Sequence, residues 1–145
     1  MTGTNHLLTG AAIGAAIANP AALPAAFMSH FVLDLLPHYG NDTKAHMRKV
    51  LAADAVTCVT LLVALLAWRP EHWLLMLACA VLAALPDALW IPYELAERRN
   101  QPREYKKLAQ FLHDIQWGER PWGLRIEVPF ACIMAAAVLM IARAA

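Results

Sequence analysis

Imidazoles and carboxylates are the groups of this chain best suited to chemistry, and they stand where an apolar setting makes them costly. His30 and Asp34 lie in FMSHFVLDLLPH, with His38 four residues further on. At helical spacing i, i+4 and i+8 the three share an arc of about 80°. Asp54 in LAADAVT and Asp87 in ALPDALW are each the only carboxylate of an apolar run, and His6 opens the first run. A carboxylate near the middle of a bilayer costs about 3 kcal/mol even on lenient scales, so repeated placement asks for a compensating charge. Counting inward at about 1.5 Å per residue, His30 is roughly 10 Å from Pro37, Asp54 roughly 9 Å beyond Arg48, and Asp87 roughly 10 Å before Glu94. His6, at the head of a short run, comes to a comparable level. Imidazole nitrogens and carboxylate oxygens suit zinc first, with manganese or iron as the other divalent metals they fit. Several such ligands together are typical of two-metal hydrolytic centres, where one ion binds the scissile group and another acidifies a water. The expected ligands are His6, His30, Asp34, His38 and Asp87, joined from a neighbouring segment by His113, and Asp54 is left as general base.

The elements that must carry these residues follow from composition. Of 145 residues, 60% are hydrophobic and 16% charged, and mean hydropathy is +0.46. That is too apolar for a soluble globule, so the bilayer is the expected solvent. Apolar runs predict a single integral membrane domain, an all-α polytopic bundle spanning at about 5–18, 21–37, 49–68, 72–92 and 124–142. The first two runs are short and suggest a thin or partly re-entrant hairpin. Gly10, Gly14 and Ala18, with Ala11 and Ala15 alongside, repeat at the spacing that lets helix backbones approach closely in lipid. The N-terminal run lacks the basic region of a cleavable signal peptide. Cys58, Cys79 and Cys132 stand singly inside apolar runs, which argues against a disulfide framework and a thiolate metal site. No Gly-rich phosphate loop or nucleic-acid motif occurs, so no nucleic-acid partner is expected.

Net charge is only +1, but the charges are segregated. Lys44, Arg48 and Lys49 flank the second loop, and Arg98, Arg99, Arg103, Lys106, Lys107, Arg120 and Arg125 fill the fourth, whereas the opposite side holds Arg69 and Arg143. Positive charge stays inside, which places the N-terminus in the cytoplasm and the C-terminus outside. Residues 103–117 have their own helical period, with Tyr105, Leu108, Phe111, Leu112 and Ile115 on one side and Lys106, Lys107, Gln110 and Asp114 on the other. They read as an amphipathic helix on the cytoplasmic surface. His113 on its border and Gln116 on its apolar side can turn toward the bundle.

The segments NHLLTGAAIG, SHFVLDLLPH and LPDALW resemble small bacterial inner-membrane proteins described as membrane-bound metal-dependent hydrolases, a family distantly similar to zinc-dependent phospholipase C and P1 nuclease. The resemblance implies a helical bundle of the bacterial inner membrane with His and Asp ligands and phosphoester hydrolysis. It maps an N-terminal histidine onto His6, an Asp motif ending in histidine onto Asp34 and His38, and a C-terminal histidine element, HDIQW, onto His113 and Gln116. This chain lacks the PDxDH form of the Asp motif and any HRGxTH-like segment.

The expected function is therefore a membrane-embedded metal-dependent hydrolase of a phosphorylated lipid or isoprenoid at the cytoplasmic leaflet. Arg98, Arg99, Lys106 and Lys107 would draw in the anionic head group, with Gln116 contacting substrate. One alternative is a non-enzymatic scaffold whose buried His/Asp network fixes helix register. Another is a metal or proton transport module, against which the outer half of the spans, with Thr57 and Thr60 its main polar residues, offers no polar path. A homodimer is compatible with so small a bundle, though no motif specifies its face.

Overall fold

A computed structural model of the chain describes residues 1–88 and 118–144, with Pro92, Ala96 and Arg99 between them. Among the described residues are five helices: α1 (Gly3–Ile17), α2 (Ala22–Asp34), α3 (Lys44–Trp68), α4 (Trp73–Ala88) and α5 (Leu124–Ala144). The expected all-helical class holds. One small addition is a parallel pair of two-residue strands, β1 (His38–Tyr39) and β2 (Glu119–Arg120), registered His38 to Glu119. The expected surface helix over 103–117 lies outside the described residues.

Only α3 and α5, among the described residues, are long and apolar enough to cross a membrane. At 25 and 21 residues they extend about 37 and 31 Å, against roughly 30 Å of hydrocarbon. The expectation of about five spans is corrected to two helices of spanning length among the described residues. α1 ends at Ile17, where Ala18 turns left-handed (φ 52°) and its N–H bonds the Gly14 carbonyl at 3.1 Å. α2 was expected to run to residue 37 but ends at Asp34, because Pro37 disfavours helical backbone at Leu36 before it.

α1 is the centre of the bundle and packs against all four other helices, most extensively α4. Its small residues make this possible. A Cβ on Gly10 would lie 2.8 Å from Ala80 Cα and Ala83 Cβ, and one on Gly14 would lie 2.8 Å from Met76 Cα. These are backbone-to-backbone contacts of the kind the glycine spacing predicts. Leu7, Ala11, Leu65, Met76 and Val138 form the main core around that seam. By contrast α3 buries only Leu65, and Val56, Val59 and Val63 point outward, as Ile133 and Met140 do on α5. An apolar cavity of about 340 Å³ opens among α1, α3, α4 and α5, lined by residues including Leu7, Ala11, Leu62 and Leu139.

Candidate metal centre

The N-terminal end of α1 meets the C-terminal ends of α2 and α4, and that is where the buried polar side chains collect. On α2, Ala22, Ala26, His30 and Asp34 recur every fourth residue and are all buried. The two alanines pack against Cys79 and Ala83 of α4, which brings the next two turns of the same face, His30 and Asp34, against α1 and the end of α4. His6 enters from the second turn of α1 and Asp87 from the last turn of α4.

His6, His30, Asp34 and Asp87 each offer one ligand atom, and these atoms all lie within 4.8 Å of one another. His6 Nε2 is 3.2 Å from Asp34 Oδ1 and 3.8 Å from Asp87 Oδ2. His30 Nε2 is likewise 3.2 Å from Asp34 Oδ2 and 3.8 Å from Asp87 Oδ1. The two imidazoles stack with centroids 4.1 Å apart and planes at 27°, so each carboxylate spans both rings. The amino group of Met1 also contacts Asp34 Oδ1.

Orientation of the rings is informative. His30 Nδ1 lies 2.8 Å from the carbonyl of Ala83. A carbonyl only accepts, so Nδ1 carries the proton and a neutral His30 turns its Nε2 lone pair toward the carboxylates. Metal-binding histidines are commonly held in this way. Pro86 helps to shape that stretch of α4, since it removes the N–H that the Leu82 carbonyl would accept and disturbs the turn containing Ala83. His6 is fully buried, yet neither of its ring nitrogens makes an aligned hydrogen bond. Its Nε2 lies within ion-pair distance of Asp34 Oδ1, without the alignment of a full hydrogen bond. A buried nitrogen facing two carboxylates fits a cation held in common.

The other expected site residues are placed elsewhere. His38 is not on the face of His30 and Asp34, because the helix has ended; it sits in β1 with Nδ1 2.8 Å from the Leu36 carbonyl. Asp54, expected as general base, is engaged at the first turn of α1. Its Oδ2 accepts from Gly3 N at 2.9 Å, and its Oδ1 accepts from Thr4 N at 3.0 Å and from Thr4 Oγ1 at 2.6 Å. Arg99 is exposed. Arg98, Lys106, Lys107, His113 and Gln116 lie outside the described residues.

A buried acid that the sequence reading passed over is Glu127 in the first turn of α5, 1% exposed. Its Oε2 accepts from Thr2 N at 2.9 Å and Asn5 Nδ2 at 3.2 Å, and its Oε1 accepts from Tyr39 N at 2.7 Å. Helix N-termini leave their first N–H groups unpaired. Here two carboxylates from distant helices serve that end of α1, one turn before His6, and its positive dipole favours them. Glu127 is the sole acid of its apolar run, the same signal that singled out Asp54 and Asp87. No family model, curated protein or solved structure matches the chain.

Proposed function

We propose that this chain is a multi-pass protein of the bacterial inner membrane that hydrolyses a phosphoester on a lipid or isoprenoid at the cytoplasmic leaflet, with a divalent ion held by His6, His30, Asp34 and Asp87. The observation that carries the reading is the convergence of these four ligand atoms, from three helices, within 4.8 Å in a buried setting. Zinc is the first choice for a set of two imidazoles and two carboxylates, with manganese or iron next. Such an ion would polarise a phosphoryl oxygen and acidify a nearby water.

The membrane reading rests on the uncovered apolar faces of α3 and α5, which lipid would cover. In that setting α1 packs against the two crossing helices, and α2 and α4 pack against α1. Lys and Arg placement in the sequence puts the N-terminus and the metal group on the cytoplasmic side, with the C-terminus outside. On sequence grounds Arg98, Arg99, Lys106 and Lys107 attract an anionic head group to that side, and Gln116 adds a polar contact. The resemblance to membrane-bound metal-dependent hydrolases points to the same chemistry, and a homodimer is compatible with the bundle.

The test is elemental analysis of the purified protein, combined with phosphate release from a panel of lipid and isoprenoid phosphates with and without chelator. Bound divalent metal and chelator-sensitive release are expected; metal without release from any substrate would refute hydrolysis. One observation favours a second reading, a non-enzymatic scaffold. The carboxylate of Asp34 already meets both imidazoles and the Met1 amino group, so the network is compensated in part without an ion. That reading predicts no bound metal and only mild effects from replacing His30 or Asp87 singly.

A further inference from the structure

We infer that the cluster takes a single ion on His6, His30 and Asp34, and that Asp87 stands at the open edge as general base. This narrows the four-residue set of the hydrolase reading to three direct ligands, and it rests on that reading for the base role alone. Four ligands about 2.0–2.2 Å from one ion stand roughly 3.3–3.6 Å apart in a tetrahedron. Asp34, at 3.2 Å from both imidazoles, lies just inside that spacing and Asp87, at 3.8 Å from both, just beyond it, so Asp34 is the closer carboxylate to both rings. Exposure divides the residues in the same way. The side chains of His6, His30 and Asp34 are 0%, 4% and 7% exposed, while that of Asp87 is 33% exposed.

A catalytic ion needs three protein ligands and one position open to water or substrate. Among the four residues, Asp87 is the one whose side chain solvent reaches. Two-metal centres hold their ions about 3.5–4 Å apart and need separate ligands for each; the described residues supply one compact set.

Asp87 therefore faces both the ligand group and solvent, as a base that works on water must. Its carboxylate takes a proton from the attacking water as the water oxygen bonds to phosphorus. The ester P–O bond breaks, and the proton returns from Asp87 to the departing alkoxide. The products are an alcohol and the phosphate shortened by that ester bond, with nothing oxidised or reduced. This assigns to Asp87 the role that the sequence suggested for Asp54, whose oxygens are engaged with α1.

The experiment measures zinc and cobalt binding to the full chain in detergent, alongside Asp87→Asn, Asp34→Asn and His30→Gln. Circular dichroism and elution volume check that each variant is folded, and His30→Gln replaces Asp34→Asn if the latter is not. We expect one ion per wild-type chain. Asp87→Asn should keep that ion with affinity lowered by about tenfold, as for an outer partner of a ligand, and Asp34→Asn or His30→Gln should lose at least a further tenfold. Phosphate release by Asp87→Asn at saturating metal should fall by about 100-fold or more, as for loss of a general base.

Two ions per chain, or equal loss of affinity in Asp87→Asn and Asp34→Asn, would overturn the ligand assignment. Normal phosphate release by Asp87→Asn would overturn the base role. A wild-type protein that binds one ion, with the expected order of affinities but no hydrolysis, would refute the hydrolase reading and the base role while sustaining the three-ligand site. Absence of metal binding would refute both.

Discussion

Gly10→Ala is the most incisive perturbation of the helix seam that holds the ligand group together. A Cβ at this position would lie 2.8 Å from Ala80 Cα and Ala83 Cβ and would also meet the Cys79 carbonyl. Carbon contacts are ordinarily about 3.5–4.0 Å, so α1 and α4 must part by roughly 0.7–1.2 Å. Two of the obstructing atoms are backbone and cannot rotate away. Overpacking of this kind costs about 1–3 kcal/mol, and the rigid partners place it at roughly 2–3 kcal/mol. Alanine recovers about 0.5–1 kcal/mol of helix propensity, which leaves a net loss of about 1–2 kcal/mol, or 5- to 30-fold in the folded population. Reversible unfolding in mixed micelles, followed by circular dichroism, measures this directly. Ala16→Gly, at an exposed position of the same helix, gives the propensity contribution separately. Because His6 is one turn before Gly10 on the same face, divalent-ion affinity should fall with stability. A Gly10→Ala protein stabilised by the full propensity gain would refute the close approach of these backbones.

Asp54→Asn should lower stability by about 1 kcal/mol through loss of a helix-terminal acceptor and leave metal affinity nearly unchanged; a fall in phosphate release of about 100-fold or more, the signature of a lost base, would return that role to Asp54. Glu127→Ala strands three donors, Thr2 N, Asn5 Nδ2 and Tyr39 N, at about 1–3 kcal/mol for each one buried. An unfolding shift of at least about 3 kcal/mol is expected, with partial recovery in Glu127→Gln, and a shift below about 1 kcal/mol would show the network to be dispensable. In the loop before α3, the His46 ring and then the Thr43 N–H hold the Asp42 carboxyl below its ordinary value. A depressed acid contributes order above its unfolded pKa and loses it as pH falls through the folded value. NMR titration should therefore show the contacts of Asp42 with His46 and Tyr39 persisting below the usual aspartate range and then dissolving, a transition absent in Asp42→Asn.

The buried His/Asp group was legible because ionisable residues in apolar runs are expensive and each one asks for a reason. His30 and Asp34 are neighbours by helical spacing alone, and matched depth associated His6 and Asp87 with them, though the same argument also drew in Asp54, whose carboxylate lies at the start of α1. His38 was misplaced because spacing was extended through Pro37, where the helix had already stopped. The work of Asp54 and Glu127 was hidden for a different reason. A carboxylate that caps the start of another helix leaves no local pattern, since its partners are backbone N–H groups far away in the sequence. The second helix was drawn too long, to residue 37, because apolar composition continued past its end at Asp34. The glycine seam was visible in outline at Gly10 and Gly14, but the identity of the helix lying against it was not.

The central place of α1 bears on how the molecule is made. This helix is first in the chain, yet its most extensive partner is α4, and its leading turn is held by Asp54 and Glu127 from α3 and α5. A segment bearing buried Asn5 and His6 is poorly suited to lipid by itself. Its contacts with helices so far along the sequence close long loops, which is slow. The His/Asp cluster, drawn from α1, α2 and α4, therefore forms only once α4 has joined α1 and α2.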